Sequence, residues 1–293
     1  MYIEPEQFTP AAAGRVFCEG PQISSLLEKG SGEVNEDMVL VGKRTFGVFD
    51  GATSLMPAMY ACGHTGECHT GGYLAAQACH DTFAAEDGGL LAAARRANET
   101  IRVRAEDAGV DFRCKEELWS ASAAVVRLED DHFSWCGIGD CRIVVVHSDG
   151  RHTVLTGEYD HDAPTLQSWR RKAGGATAGI MEVMAAEILR VRRGMNRDYG
   201  VFSGEAEALT FLDHGTMALA GVRDIIIYSD GLDLPRKNPL AARDMQTFLD
   251  IYERGGLYTL HQRVRKTQLE DLSCTTYPRF KIHDDISAIA LRF

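Results

Sequence analysis

The sequence lacks the features of a membrane-spanning or secreted protein. No stretch approaches the roughly 18 consecutive apolar residues that a membrane span requires. Residues 1–14 contain neither the basic start nor the apolar segment of a secretory signal. The eight cysteines are scattered through mostly apolar surroundings, which favours reduced thiols over a disulfide framework. These absences predict a cytoplasmic protein with no membrane partner.

Positive charge is also scarce. The chain carries 31 Lys and Arg residues against 42 Asp and Glu residues, a net charge of -11. A protein of this sign repels nucleic acids and anionic lipids, so no nucleic-acid partner is expected. Basic clusters at 169–172, 190–197 and 263–266 are interpreted as solvated faces of helices or loops. The alternative is a local patch that binds a phosphorylated substrate.

Several motifs of nucleophilic and nucleotide chemistry are missing. The sequence has no Gly-x-Ser-x-Gly elbow, no cysteine in a phosphate-binding loop and no Gly-x4-Gly-Lys-Ser/Thr loop. A hydrolase without these groups needs another source of nucleophile. Metal-assisted hydrolysis, in which a bound ion activates water, is the reaction class that remains.

Aspartates, by contrast, recur at the ends of short apolar runs or in the turns beside them. Such a carboxylate must be hydrogen-bonded, paired or neutralised by a cation when it is buried. Mg²⁺ and Mn²⁺ prefer carboxylate, carbonyl and water oxygens. Any single Asp-Gly pair would be interpreted as a turn, but the joint occurrence indicates metal binding. The motifs are Val34-Asn35-Glu36-Asp37, Gly47-Val48-Phe49-Asp50-Gly51, Gly137-Ile138-Gly139-Asp140, Ile227-Tyr228-Ser229-Asp230-Gly231 and His283-Asp284-Asp285-Ile286-Ser287.

A zinc site is the competing interpretation for a second cluster. Cys62, His64, Cys68 and His69 fall within eight residues. Their spacing matches none of the usual zinc sites, and the adjacent Cys68 and His69 are poorly placed to reach one tetrahedral ion. Zinc is therefore the less favoured interpretation.

The pattern of elements predicts an α+β fold. Short alternating or β-branched runs predict strands at 38–41, 46–49, 122–128, 132–138, 142–147, 224–228 and 286–293. Apolar residues at three- and four-residue intervals predict helices at 72–85, 90–108, 181–193 and 240–252. Strands joined by turns and followed by a helix pair favour antiparallel sheets with helices packed on them. We expect one domain over residues 1–293, with a partly helical flap at about 155–204.

In their order and spacing, the five motifs resemble the signatures of the type 2C, metal-dependent protein phosphatases. The third motif continues as Gly139-Asp140-Cys141-Arg142, which matches the Gly-Asp-Ser-Arg signature except at Cys141. The resemblance covers about residues 30–293. It implies a four-layer αββα sandwich, in which two antiparallel sheets are flanked by helices and the metal ions lie at one end. It also implies a monomer that hydrolyses phosphoserine and phosphothreonine in phosphorylated protein substrates.

The resemblance further implies a role for each acidic motif. Asp50 would bridge two Mn²⁺ or Mg²⁺ ions, and Asp230 and Asp284 would complete the first site, so these three are the expected catalytic residues. The second site would take the Gly51 carbonyl together with Glu36 or Asp37, a choice that the sequence leaves open. Asp140 matches the position that holds a weaker third ion.

Three positions depart from the family pattern. Gly32 stands where many members carry a phosphate-binding arginine, and Lys29, Lys43 or a flap arginine could replace it. Ala52 stands where many carry a histidine proposed as general acid, and water, His64 or His69 could donate the proton instead. Cys141 replaces a serine. These departures keep two alternatives open: a phosphatase for a small phosphomonoester, and a binding or sensor protein with little turnover.

Overall fold

The structure is a computed structural model that describes residues 20–52, 55, 59–61, 68–85, 88–173 and 179–293. Within these residues there are twelve strands and six α-helices. The strands are β1 (Gln22–Glu28), β2 (Asp37–Val41), β3 (Thr45–Gly51), β4 (Tyr60–Ala61), β5 (Cys68–His69), β6 (Ala121–Leu128), β7 (His132–Ile138), β8 (Arg142–His147), β9 (His152–Val154), β10 (Asp213–Ala218), β11 (Val222–Tyr228) and β12 (Ile286–Arg292). The helices are α1 (Gly71–Ala85), α2 (Leu90–Asp107), α3 (Ala163–Lys172), α4 (Ile180–Val183), α5 (Ala185–Arg192) and α6 (Met245–Leu269).

Ten of these strands form two five-stranded sheets. The β12 sheet has the order β1-β12-β11-β8-β9, and the β3 sheet has the order β10-β7-β6-β3-β2. Every pairing in both sheets is antiparallel. Antiparallel pairing needs only tight turns, which agrees with the turn residues at 129–131 and 148–150. The strands β4 and β5 form a separate two-stranded ladder.

Side-chain alternation along the strands produces four layers. In β3, Val48 faces the apolar space between the two sheets, whereas Phe49 packs beneath α1 and α2. In β11, Ile227 faces the same intersheet space, whereas Ile226 packs beneath α6. Burying each such side chain stabilises the fold by about 1.5–3 kcal/mol. The predicted αββα sandwich is confirmed.

Two helix predictions need correction. The helix expected at 240–252 begins later, at Met245, because the Asp244 carboxylate caps it by accepting a 2.9 Å hydrogen bond from the Thr247 amide. It also continues to Leu269 across a kink at Gly255 and Gly256, where the backbone is not helical and the apolar pattern is interrupted. The helix expected at 181–193 is two helices, α4 and α5, separated at Met184.

The segment at 155–204 has its own small core beside the sandwich. Trp169 of α3, Ile180 of α4 and Met184 pack against one another, with Phe280 from the C-terminal part of the chain against them. Residues 174–178 of this segment lie outside the described residues. None of the described helices has the length and apolar character needed to cross a bilayer.

Candidate metal centre

Asp37 and Asp50 face each other across two neighbouring strands. The register of β2 on β3 places Asp37 directly opposite Asp50. Directly opposed residues project to the same side of a sheet, with Cβ atoms about 5 Å apart. Val39 and Val48, two positions from these aspartates, contact the apolar space between the sheets. Both carboxylates therefore lie at the end of that space.

Asp230 comes to the same place from the other sheet. It begins a single 3-10 turn (Asp230–Leu232) directly after Ser229, which follows β11. The Ser229 hydroxyl donates to Asp37 Oδ2 at 2.7 Å, and it accepts a 2.9 Å bond from the Ser287 amide. A Cβ on Gly231 would lie 1.9 Å from the Asp285 carbonyl oxygen, so only glycine lets the turn pack this closely on β12.

The adjacent Asp284 and Asp285 have different environments. Asp285 is 5% exposed and accepts hydrogen bonds from the amides of Gly30 at 2.7 Å and Glu36 at 2.9 Å. This carboxylate therefore positions the segment that carries Glu36. The Asp284 side chain is 42% exposed and accepts a 2.9 Å bond from Lys281 Nζ at the edge of a cleft.

The pair left open by the sequence, Glu36 and Asp37, point in different directions. Glu36 Oε1 accepts a 2.6 Å hydrogen bond from the Thr70 hydroxyl, just before α1. A Cβ on Gly72 would lie 2.6 Å from the same oxygen. The Glu36 carbonyl accepts a 3.1 Å bond from the Gly51 amide, which holds the Asp-Gly turn beside it. The Asp37 side chain thus faces Asp50, whereas the Glu36 side chain faces the start of α1.

Asp140 is brought in by a turn between β7 and β8. Gly139 adopts a φ of 79°, and a Cβ there would lie 2.2 Å from the Ser122 hydroxyl. Ser122 is paired with Asp50 in the β6–β3 register. Asp140, Asp230 and Asp284 all line the same cleft. The structure therefore brings all five predicted acidic motifs to one end of the sandwich.

Burial and mutual repulsion dominate the electrostatics of this acid cluster. Burial, and then repulsion from Asp37, Asp230, Asp140 and Asp284, raises the pKa of Asp50 well above its ordinary value. The pKa of Asp230 is raised in the same way, first by burial and then by Asp140 and Asp284. Burial raises the pKa of Asp37 to about 7. A cation in this position would relieve the repulsion that these shifts reflect.

The donor set fits a hard cation in chemical type, because carboxylate and carbonyl oxygens predominate. It is not a closed ligand shell: the described residues contain no group of three or more His, Cys, Asp or Glu side chains arranged to hold an ion. Two of the carboxylates are occupied by other donors, Asp37 by Ser229 and Asp284 by Lys281. The ligand and catalytic assignments therefore stay predictions.

A cleft of about 140 Å³ opens beside the acid cluster. The flap lines one side with residues 159–162, and the segment after α6 lines another with residues 277–281 and Asp284. His161 stacks on the Tyr199 ring with centroids 3.9 Å apart, and its Nε2 lies 3.6 Å from Asp162 Oδ2. Residues 159–162 of the segment predicted as a flap therefore lie beside the acid cluster.

None of the candidate replacements named from the sequence is among the described residues that line the cleft. Lys29 is exposed and donates to the Glu33 carbonyl at 3.2 Å. His69 stacks on Tyr73 of α1, with ring centroids 4.3 Å apart. His64 and Cys62, and with them the zinc interpretation, lie outside the described residues.

Sequence reasoning missed two cleft residues. Lys281 lies three positions before Asp284, but that spacing alone does not show that its side chain reaches the cleft. His161 could not be assigned to the cleft, because nothing in the sequence shows which way the flap folds.

No protein-family model matches the sequence, and no curated protein is similar to it in sequence. Solved structures do match. The serine/threonine phosphatase PstP/Ppp of Mycobacterium tuberculosis is 16% identical, with 94% of this chain and 99% of that chain covered and a TM-score of 0.57. The PstP catalytic domain in complex with two manganese ions is 18% identical, covering 93% and 98%, with a TM-score of 0.56. Stp1 of Staphylococcus aureus is 15% identical, covering 96% and 99%, with a TM-score of 0.56. The chain therefore has the fold of these bacterial serine/threonine phosphatases.

Proposed function

We propose that this protein is a Mn²⁺- or Mg²⁺-dependent phosphatase that hydrolyses phosphoserine and phosphothreonine in proteins. The observation that carries the proposal is the convergence of carboxylates from five distant segments beside one cleft. Five such groups repel one another, which is costly for a fold unless cations offset the charge. The shared fold with serine/threonine phosphatases, one of them in complex with two manganese ions, supports the same reaction.

The proposed ligands follow the five motifs. When bound, the two ions would supply an activated water as nucleophile and would neutralise charge on the phosphoryl oxygens. A first site would use Asp50, Asp230 and Asp284, a second would use Asp50, the Gly51 carbonyl and Glu36 or Asp37, and a weaker third would use Asp140.

The remaining residues would position and complete this site. The Ser229 hydroxyl donates a hydrogen bond to the Asp37 carboxylate, and the Asp285 carboxylate accepts one from the Glu36 amide. The proton for the departing serine or threonine oxygen would come from water or from His161, which lines the cleft. We further propose that residues 1–293 form a single phosphatase domain with the flap at 155–204. The monomeric state and the cytoplasmic location stay predictions.

A phosphatase for a small phosphomonoester is the second candidate. The observation that favours it is the cleft itself, whose volume of about 140 Å³ suits a compact phosphorylated group. Both candidates use the same acid cluster, so they differ only in what surrounds the phosphate. Turnover of a phosphopeptide and of small metabolite phosphates, measured side by side, separates them.

Hydrolysis of p-nitrophenyl phosphate with and without Mn²⁺ tests the proposed reaction. We expect Mn²⁺ to start turnover and Asp50→Asn to abolish it. Asp149→Asn, a change of the same kind in the exposed β8–β9 turn, is the matched control and should leave turnover intact. Activity that persists in a chelator would contradict the proposal. Metal binding without turnover on any phosphoester would instead support a binding or sensor protein.

A further inference from the structure

A phosphatase cleft needs a positive group for its phosphate, and the expected arginine position is Gly32. Among the described residues, three arginines line the cleft, but each is already paired with a carboxylate. Arg243 Nε lies 2.6 Å from Asp233, and Arg279 Nη1 lies 3.1 Å from Asp271. Arg236 is paired in the same way with Asp160 of the flap. Pairing of this kind neutralises these guanidinium groups, so none of the three is a free anion site.

Lys281 is different because its partner belongs to the acid cluster. Its Nζ lies 2.9 Å from Asp284 Oδ1, and its charge also interacts with Glu36 and Asp50. The side chain is 27% exposed and lines the cleft. Lys281 therefore stands between the carboxylates and the space that a substrate phosphate would enter.

The segment that carries Lys281 is fixed by its own hydrogen bonds. The Asp271 carboxylate accepts a 2.8 Å bond from the Tyr277 amide and a 3.1 Å bond from Arg279. The Trp169 indole of the flap donates to the Cys274 carbonyl at 2.9 Å. A hydrogen bond thus joins the segment after α6 to the flap, and the backbone that carries Lys281 is held in place beside the cleft.

We propose that Lys281 binds the substrate phosphate, in the role left vacant at Gly32. This inference rests on the proposed function. A divalent cation on Asp284 would take the oxygen that Lys281 now contacts and would repel its ammonium group. The flexible four-carbon stem of lysine lets that group turn to a new partner, and a phosphate oxygen in the cleft is an anion within the same space. Charge-assisted hydrogen bonds of this kind are about twice as strong as neutral ones.

Calorimetric titration of inorganic phosphate into the Mn²⁺-saturated protein tests the inference without turnover. We expect Lys281→Met to weaken phosphate binding about 10- to 100-fold. Lys281→Arg keeps the charge and should restore most of the affinity. Lys237→Met is the matched control, because Lys237 lies 5.8 Å above the Tyr277 ring near the same cleft but pairs with no member of the acid cluster. It should leave phosphate binding within about twofold of wild type.

If Lys281 only stabilised the local structure, Lys281→Met would weaken Mn²⁺ binding as well as phosphate binding. Titration of Mn²⁺ in phosphate-free buffer should therefore show Lys281→Met with unchanged or tighter metal affinity, since a competitor for Asp284 is gone. In kinetics, KM for p-nitrophenyl phosphate should rise more than kcat falls. Parallel loss of Mn²⁺ and phosphate affinity in Lys281→Met would overturn the inference, as would phosphate affinity equal to wild type.

The two proposals fail separately. If the wild type hydrolyses p-nitrophenyl phosphate with Mn²⁺ but Lys281→Met binds phosphate normally, only the role of Lys281 is contradicted. If the wild type binds phosphate through Lys281 but hydrolyses no phosphoester, the proposed phosphatase activity is contradicted and the phosphate site is supported. Absence of phosphate binding to the Mn²⁺-saturated wild-type protein would overturn the role of Lys281.

Discussion

Ser229 and Asp37 are 192 positions apart, and a 2.7 Å hydrogen bond joins them beneath the acid cluster. Ser229 follows β11 in the β12 sheet, whereas Asp37 begins β2 in the β3 sheet. Both residues are buried, with exposures of 0% and 4%. This bond therefore ties the two sheets together at the end of the sandwich where the carboxylates gather.

Removing that hydroxyl should loosen the junction. We expect Ser229→Ala to lower the free energy of unfolding by about 1–3 kcal/mol, because it leaves a buried carboxylate oxygen and the Ser287 amide without their partner. Urea unfolding in metal-free buffer measures the change. Ser25→Ala, on the exposed face of β1, is the control and should change the stability little. Equal stabilities of the two variants would contradict the prediction.

Neutralising Asp50 should stabilise the metal-free protein but remove its stabilisation by Mn²⁺. Its carboxylate is repelled by Asp37, Asp230, Asp140 and Asp284, so Asp50→Asn should raise the Tm of the metal-free protein. Mn²⁺ should raise the Tm of the wild type, because a ligand that binds only the folded state stabilises it, and should no longer do so in the variant. Thermal unfolding with and without Mn²⁺ checks both. Equal Mn²⁺-induced shifts in the two proteins would remove Asp50 from the site.

The turn at Gly231 should tolerate no side chain. A Cβ there would lie 1.9 Å from the Asp285 carbonyl oxygen, which is backbone and cannot move aside without shifting β12. We expect Gly231→Ala to destabilise the fold by about 1–3 kcal/mol or more and to weaken Mn²⁺ binding. Gly179→Ala, where nothing lies within 4 Å of the added atom, is the control. Denaturant midpoints and metal titrations of both variants test this.

Acid should weaken the segment that carries Lys281. Burial acts to raise the pKa of Asp271, but hydrogen bonds from the backbone of residues 275–277 and from Arg279 leave it below its ordinary value of 3.8. The folded state therefore favours the carboxylate. Its contribution to stability is present above pH 3.8 and is lost as the pH falls through the lower pKa of the folded state.

Asp271→Asn isolates that contribution. At neutral pH we expect the variant to be about 1–3 kcal/mol less stable than the wild type, and we expect the gap to close as the pH drops below about 3.8. Unfolding free energies measured across this range provide the test, with Glu270→Gln as the exposed neighbouring control. A gap that does not change with pH would show that Asp271 acts without its charge.

The sequence was sufficient for the central strands and for the edge strand β2, but not for the other three edge strands of the two sheets. All seven predicted strands are present, because a strand buried on one or both faces has a strong apolar pattern. The edge strands β1, β9 and β10 were missed, since they bury few residues and so have little pattern to detect. Helix α6 was mispredicted because Gly255 and Gly256 interrupt its periodicity while tertiary packing continues it.

The same contrast applies to the site. The acidic motifs could be found because strand ends and Asp-Gly turns are local signals that the topology gathers at one place. Lys281 and His161 lie on connecting segments, whose path depends on contacts such as that between Trp169 and Cys274. No local pattern encodes that path.

The position of β12 has a consequence for how the molecule assembles. β12 lies inside its sheet, between β1 and β11, although it comes after both in the chain. The preceding Asp284 and Asp285 are therefore placed only when β12 is inserted, which closes a loop of 255 residues back to Gly30. Contacts of such long range form slowly. We expect a truncated chain that lacks residues 284–293 to have neither a continuous β12 sheet nor a competent acid cluster, so any enzymatic activity has to wait until this strand is inserted.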